Sequence, residues 1–151
     1  MVVAWGDNRN GNMDLFAQGI DTTGAPLWTG DQPVCTVEAG ADDLMLVTDH
    51  MGGSVAAWID YRNGSEDIYA QRLSPGNKMV WATDGVAVCT TAYSCYWLAL
   101  TGDGDGGAII SWTDYRNGDF DLFAQKIGFR GDAMWTANGV TVCEEAGSVK
   151  E

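Results

Sequence analysis

The sequence is poor in basic residues, proline and histidine. Eight lysines and arginines stand against 21 aspartates and glutamates, which gives a formal net charge of −13. Because nucleic-acid interfaces and anionic membrane surfaces need clustered basic side chains, we expect neither as a partner. Three prolines argue against a proline-rich linker. The single histidine, His50, has no second residue with which to build a zinc site or a catalytic triad.

Long apolar runs are missing as well. No segment approaches the ~18 apolar residues of a membrane-spanning helix, and the start of the chain, Val2–Trp5, favours a strand over a signal peptide. What the chain does contain is 46% hydrophobic residues, 20 glycines and seven tryptophans, which indicates a folded protein with many tight turns. The acidity favours solubility in a salty or extracellular medium, and cation binding is the alternative.

The chain consists of three copies of one repeat of about 54 residues. Residues 5–18 (WGDNRNGNMDLFAQ), 58–71 (WIDYRNGSEDIYAQ) and 112–125 (WTDYRNGDFDLFAQ) share the pattern W-x-D-x-R-N-G-x-x-D-[LI]-[FY]-A-Q. Further positions recur at the same spacing: Trp28, Trp81 and Trp135, and Cys35, Cys89 and Cys143. A pattern this long, held in register, predicts tandem copies of one structural unit.

Each repeat reads as four short antiparallel strands. In the third repeat the predicted strands are 97–101, 108–113, 121–127 and 134–143. The glycines of GDGDGG and the Asn-Gly of DYRNGD predict turns between the first three strands, and no segment has a helical period. Four strands in such a unit, with tryptophan and Phe/Tyr positions to cover both faces, are typical of a β-propeller blade. A β-sandwich or an open β-solenoid is the alternative, and the long period disfavours both.

The run from Asp103 to Cys143 resembles the tandem propeller repeats of large secreted bacterial proteins, whose blades carry a similar D-G-x-G-G-A-x-x-x-W-x-D-x-R-x-G-x-x-D-[IL]-[YF]-A-Q stretch. It is more loosely similar to the Asp-box turns of sialidase-like propellers. The resemblance covers nearly the whole chain. It implies an all-β propeller fold and a secreted or cell-surface origin, but it implies no activity, because the motif is the scaffold itself.

The repeats divide one predicted domain, residues 1–151, into three blades: about 1–36, about 43–90 and about 97–144. Met1 aligns with Ser54 and Ala108, so the first blade lacks its first strand and we expect eleven strands. Three blades leave two aromatic faces open to water, whereas closed propellers have about four to eight blades. We therefore expect a homodimer that closes six blades head to tail.

Acidic residues and an arginine recur in the turn of every repeat. One interpretation is a set of Ca²⁺ loops, because Asp and Asn oxygens in a glycine turn can ligate this ion. An arginine stands where another oxygen ligand would be expected, which favours Asp–Arg pairs and Asx-type bonds that pin each hairpin, with no cofactor. The residues concerned are Asp7, Arg9, Asp14, Asp60, Arg62, Asp67, Asp114, Arg116 and Asp121. Asp103 and Asp105, in the GDGDGG turn, are a weaker candidate cation site.

Residues that the repeats do not share are the candidates for ligand binding. Tyr93, Tyr96 and Trp97 lie at the start of a predicted first strand, and His50 lies in a turn. Aromatic rings beside acidic groups suit the apolar faces and hydroxyls of sugars, so these four residues form the candidate carbohydrate site. The alternatives are packing between blades for the aromatic residues and a plain surface position for His50.

The cysteines fall into two groups. Cys35, Cys89 and Cys143 are expected one blade apart, too far to bond one another, and are interpreted as small buried hydrophobic residues. Cys95 has no counterpart in the other repeats, which leaves a Cys89–Cys95 disulfide open as an alternative.

We expect a non-catalytic propeller module that self-assembles and offers an interaction surface. A carbohydrate-binding propeller is the first alternative, and a sialidase-like glycoside hydrolase is the second. A sialidase-like site needs an arginine cluster, a tyrosine nucleophile and acidic partners. Here three arginines occupy the repeated turn and only Arg72 and Arg130 remain, so no catalytic residue is assigned.

Overall fold

The computed structural model describes residues 1–144, and they form an all-β chain. The strands in this range are β1 (Val2–Asp7), β2 (Asp14–Gly19), β3 (Gln32–Cys35), β4 (Ala41–Thr48), β5 (Ser54–Asp60), β6 (Asp67–Leu73), β7 (Val86–Cys89), β8 (Tyr96–Gly102), β9 (Ala108–Asp114), β10 (Asp121–Ile127) and β11 (Val140–Cys143). These are the eleven strands expected from the sequence. Residues 1–144 contain no helix, and so none that could cross a membrane.

The strands form three antiparallel sheets in which each strand pairs with the next one in the chain. The first sheet has the order β1-β2-β3, the second β4-β5-β6-β7 and the third β8-β9-β10-β11. The hairpin with the repeated motif has one register in all three sheets, where the two motif aspartates face each other: Asp7 with Asp14, Asp60 with Asp67, and Asp114 with Asp121. The sequence repeat is therefore a structural repeat, and within residues 1–144 the first sheet lacks a counterpart of β4 and β8.

The last strand of the third repeat is shorter than predicted. Residues 134–143 were expected to be one strand, but only Val140–Cys143 forms a strand on β10. The start of the stretch touches β10 through an isolated bridge, Ile127 with Ala133, and a bond from the Met134 N–H to the Lys126 carbonyl at 2.8 Å. The chain turns at Asn138 and Gly139, whose φ angles are 62° and 87°. A Cβ on Gly139 would lie 2.6 Å from the ring of Trp112, so this turn closes directly over the tryptophan and needs glycine there.

Apolar cores lie between neighbouring sheets. Leu15 and Val34 of the first sheet share one cluster with Trp58 and Leu73 of the second. A second cluster joins the second sheet to the third: Ile59, Ile68 and Val88 with Ile110, Trp112 and Phe123. Each sheet thus has a leading face, which packs on the preceding sheet, and a trailing face, which packs on the following one. Within residues 1–144 no other sheet packs on the leading face of the first sheet or on the trailing face of the third.

Candidate functional site

The repeated turn holds a buried Asp–Arg pair. The Asp60 side chain is fully buried, and Arg62 donates from Nε to Oδ1 (2.7 Å) and from Nη2 to Oδ2 (2.6 Å). Trp58 Nε1 also donates to Oδ2, at 2.9 Å. Burial opposes ionisation of Asp60, but these donors outweigh it and hold its pKa below the usual value. Because Arg62 also lies 3.7 Å from the Tyr69 ring centre, the pair ties the turn to both strands of the hairpin.

The pair recurs in the other two repeats with different exposure. Asp114 is as deeply buried as Asp60 and is bound in the same way by Arg116. Asp7 and Arg9 also pair, but both remain partly open to water because no sheet precedes them within residues 1–144. The geometry of the turn is therefore local, whereas its burial depends on the neighbouring sheet.

The second aspartate of each motif is held by amides. Asn63 Nδ2 donates to Asp67 Oδ2 at 2.6 Å, and Asn117 Nδ2 donates to Asp121 Oδ2 at 2.8 Å. Asn10 Nδ2 makes the equivalent bond to Asp14 Oδ2, and Asn12 Nδ2 donates to Asp14 Oδ1 as the Ser65 hydroxyl does to Asp67 Oδ1. A calcium ion in these turns would have to displace N–H donors from carboxylates that already accept them.

The GDGDGG turn is organised around one buried carboxylate. Asp103 Oδ1 accepts from the backbone N–H groups of Asp105 (2.9 Å) and Gly107 (2.9 Å), and Oδ2 pairs with Lys126 Nζ at 3.0 Å. Asp105 contacts Asp103 through its backbone N–H, and the Asp103 carboxylate is already occupied by three donors. The two carboxylates predicted as a cation site are therefore not both free to bind a cation. A Cβ on Gly107 would lie 2.2 Å from the Ile127 carbonyl oxygen, which explains the glycine.

The corresponding turn of the second sheet contains Asp49. It accepts from the N–H groups of Met51 and Gly53, and Arg72 donates to its Oδ2 from Nε and Nη2 at 2.9 and 2.7 Å. Arg72 is itself buried, under the ring of Phe129. One of the two arginines left over for a sialidase-like cluster is thus committed to a structural ion pair.

Four exposed aromatic side chains form a continuous patch on the third sheet, which we call the aromatic patch: Tyr96, Trp97, Tyr115 and Phe120. Phe120 is at its centre, with ring centroids 5.9 Å from Tyr96, 5.6 Å from Trp97 and 5.4 Å from Tyr115. Trp97 is 71% exposed and has φ 52° at a bulge between β8 and β9. The bulge interrupts the regular alternation of the strand and turns the Trp97 side chain outward.

The structure divides the predicted carbohydrate site. Tyr96 and Trp97 lie in the aromatic patch, together with Tyr115 and Phe120, which were not among the predicted site residues. His50 is exposed at the other end of β8, where a Cβ on Gly102 would lie 3.2 Å from its ring. Tyr93 is exposed in the preceding loop and makes none of the ring contacts of the patch.

The equivalent positions of the second sheet are acidic. Asp42, Asp43 and Glu66 take the places of Tyr96, Trp97 and Phe120, around the tyrosine that the two repeats share, Tyr61 in one and Tyr115 in the other. Burial and these three carboxylates raise the pKa of Tyr61. A cleft of about 370 Å³ between the first and second sheets is lined by Asp42 and Asp43. The candidate surface therefore has one acidic and one aromatic side.

A second recurring arrangement joins each sheet to the next, and we call it the inter-sheet joint. In the first joint, Arg62 Nη2 lies 3.6 Å from Cys35 Sγ, and the Thr36 N–H donates to Asp84 Oδ1 at 2.9 Å. In the second joint the distances are 3.5 Å from Arg116 Nη2 to Cys89 Sγ and 2.9 Å from Thr90 N to Asn138 Oδ1. Each joint thus combines a cysteine and a backbone N–H of one sheet with an arginine and a side-chain oxygen of the next.

The expectation that all three repeated cysteines are buried is wrong for Cys143. Cys35 and Cys89 are buried beneath the arginine of the following sheet, whereas Cys143 is exposed. It occupies the same position in its own sheet, but residues 1–144 contain no further sheet to cover it. The fourth cysteine, Cys95, is buried with its Sγ 3.3 Å from that of Cys89.

Comparison with known proteins adds no relative. No protein-family model, curated protein or solved structure matches this chain. The resemblance to propeller repeats therefore stays a prediction from the motif.

Proposed function

We propose that this chain is a non-catalytic β-propeller module that associates head to tail with a second copy of itself and closes a six-bladed ring. The inter-sheet joint carries the proposal. It occurs twice within the chain with the same atoms, and both of its halves are present once more without a partner. A surface that already binds its complement twice in one molecule is suited to bind it again between molecules.

The polar halves of the missing joint correspond position by position. The trailing face of the third sheet offers the Cys143 thiol and the Glu144 N–H, at the positions of Cys89 and Thr90. The leading face of the first sheet offers Arg9 and Asp31, at the positions of Arg62 and Asp84. Arg9 donates to the Asp31 carboxylate at 2.9 Å, whereas Arg62 and Arg116 donate to the backbone carbonyls of Asp84 and Asn138. Closing the joint between chains therefore requires Asp31 Oδ1 to accept the Glu144 N–H while Oδ2 stays with Arg9, or the Asp31 side chain to turn.

The apolar halves correspond as well. Trp5 and Phe16 on the leading face of the first sheet are the counterparts of Trp112 and Phe123, which are buried in the second joint. Trp5 is only partly buried, whereas Phe16 is already covered by Arg9 and is 6% exposed. On the trailing face of the third sheet, Val142 is 58% exposed and Trp135 is also exposed. That face has Ser111 and Thr113 where the second sheet has Ala57 and Ile59, so we expect the contact between chains to be weaker than the joints within a chain.

Molar mass in solution tests the proposal. Sedimentation velocity over a range of micromolar concentrations should show a species of twice the 16.2 kDa chain mass. Val142→Lys places a charge on the trailing face and should give monomer, without loss of fold because Val142 is already exposed. Val80→Lys is the matched control, since Val80 is an exposed apolar residue of a sheet whose two joints are both formed.

Three results would contradict the proposal in whole or in part. A monomer at every concentration would exclude self-association, and a dimer that Val142→Lys leaves intact would place the contact elsewhere. Open oligomers that grow with concentration would keep the head-to-tail joint but overturn the closed ring, because only a rotation that closes gives a dimer.

The aromatic patch favours carbohydrate binding as a second function. Its four rings are exposed, adjacent and next to an acidic surface, and they meet at tilted or edge-on angles of 53° to 74°. An exposed ring face, such as that of Trp97, suits the apolar face of a sugar. Titration with oligosaccharides, followed by tryptophan fluorescence, should give saturable binding that Trp97→Ala abolishes and Tyr93→Ala leaves unchanged. Binding that responds equally to both changes, or no binding to a broad glycan array, would remove this function.

A further inference from the structure

Cys89 and Cys95 bring two thiols together at the connection between the second and third sheets. Cys89 is the last residue of β7, and Cys95 directly precedes β8. Their Sγ atoms are 3.3 Å apart, both side chains are buried, and both thiols are free. The Cys95 backbone N–H donates to the Glu66 carbonyl at 2.8 Å, which fixes Cys95 against the second sheet.

The surroundings make the two thiols unequal. Cys95 donates its S–H to Cys89, and Arg116 Nη2 lies 3.5 Å from the same sulfur. The hydrogen bond from Cys95 lowers the pKa of Cys89 against the opposing effect of burial, and the same bond, with burial, raises the pKa of Cys95. At the equivalent position of the first joint, Cys35 has an arginine but no second thiol, and burial raises its pKa to about 12.

We propose that Cys89 and Cys95 are a redox site that hydrogen peroxide, or another small peroxide, converts to an intramolecular disulfide. The Cys89 thiolate attacks the O–O bond of hydrogen peroxide and becomes a sulfenic acid, and the hydroxide that leaves takes up the proton that Cys89 lost. Cys95 sulfur then attacks the sulfenic sulfur, the S–O bond breaks, and the Cys95 proton leaves with the hydroxyl as a second water. Two thiols are oxidised by two electrons and one peroxide is reduced to two waters.

The geometry allows this bond with a small movement. A disulfide needs the sulfurs at about 2.05 Å, so one of them has to move by roughly 1.3 Å from the 3.3 Å separation. The connecting residues 90–94 form a short loop in which Thr90, Ala92 and Tyr93 are exposed, so the two thiols lie directly beneath the surface. The reaction requires this loop to open far enough to admit a peroxide, which is little larger than water. The product would close a small loop and tie the last strand of the second sheet to the first strand of the third.

A metal ion is the competing occupant. Cys89, Cys95 and Asp114 place a ligand atom each within 4.8 Å of one another. However, Asp114 already accepts from Arg116 and from Trp112 Nε1, and the Arg116 guanidinium contacts Cys89 as well. A fixed positive charge on two of three ligands opposes a cation, whereas it supports a thiolate.

Mass spectrometry of the full chain tests the proposal. The reduced protein is treated with hydrogen peroxide, alkylated under denaturing conditions and digested. After trypsin, which leaves both cysteines in one peptide, we expect that peptide to have lost two hydrogens and to take up no alkylating agent. Cys35 is the internal control and should be alkylated in the same sample, because it has the burial and the arginine but lacks the second thiol.

A variant without the second thiol and a measurement of bound zinc are the controls. In Cys95→Ala, Cys89 should form no intramolecular cross-link, and in the wild type the oxidised protein should melt at a higher temperature than the reduced one. The proposal is overturned if Cys89 and Cys95 are both alkylated after exposed Cys143 has been oxidised. It is equally overturned if dialysed protein retains one Zn²⁺ per chain with both thiols protected.

Discussion

Replacing Arg62 by alanine should destabilise the fold by about 3 kcal/mol. The change leaves the carboxylate of Asp60, whose side chain is fully buried, without the two charge-assisted bonds from Arg62. Breaking a buried ion pair from one side costs about 3–5 kcal/mol. We take the lower end because Trp58 Nε1 still donates to Asp60 and because the Arg62 side chain is 22% exposed, so water can enter after the change.

The assay is urea unfolding followed by tryptophan fluorescence in dilute protein. With a slope of about 2 kcal/mol per molar urea, the midpoint should fall by roughly 1.5 M. Arg9→Ala is the matched control. The Asp7–Arg9 pair is the same pair of the motif, but its arginine side chain is 44% exposed, so removing it leaves no buried carboxylate without a partner. Equal midpoints for the two variants would refute the reasoning, since burial would then not set the energy of the pair.

Three further predictions concern the buried aspartates, a turn glycine and the first strand. The pKa values of Asp60 and Asp114 lie below the ordinary 3.8, so the folded state binds fewer protons than the unfolded state near pH 4. The two carboxylates therefore stabilise the fold above about pH 4, and this contribution to the free energy of unfolding is lost as the pH falls through their folded pKa values. Arg62→Ala should make the free energy of unfolding depend less on pH in this range, and an unchanged dependence would contradict the expectation. Gly107→Ala should lower the melting temperature clearly more than Gly76→Ala, because its Cβ would meet the Ile127 carbonyl oxygen at 2.2 Å, whereas no atom lies within 4 Å at Gly76 and neither glycine has a positive φ. Hydrogen exchange in β1, an edge strand, should be faster than in β9, unless a second chain pairs with it.

The sequence predicted the hairpins well because their determinants are close together in the chain. Asp60 and Arg62 are two residues apart, and Asn63 binds Asp67 four residues on, so one motif encodes the turn, its ion pair and the strand register. The last strand was predicted too long because Asn138 and Gly139 were taken as part of the strand. That Asn-Gly pair marks a turn, and its packing on Trp112 is a contact that no local pattern reveals.

The exposure of side chains on the first and third sheets could not be predicted from the repeat alone. Cys35, Cys89 and Cys143 have the same place in their strands, yet only the first two are buried, since an arginine of the next sheet covers them. Burial here is a property of the joint between sheets. A cysteine at this position is therefore buried or exposed according to whether another sheet packs on its own.

The aromatic patch shows where repeats of this kind leave room for function. Asp43 and Trp97 occupy equivalent bulges and have φ angles of 50° and 52°, so the backbone that presents them is the same. Their side chains share nothing chemically. The repeated hairpin motif, residues 58–71 and 112–125, includes neither position. The chemistry of the surface can therefore differ from sheet to sheet while the fold stays constant, and the positions that break the repeat are the ones to mutate first in a search for ligands.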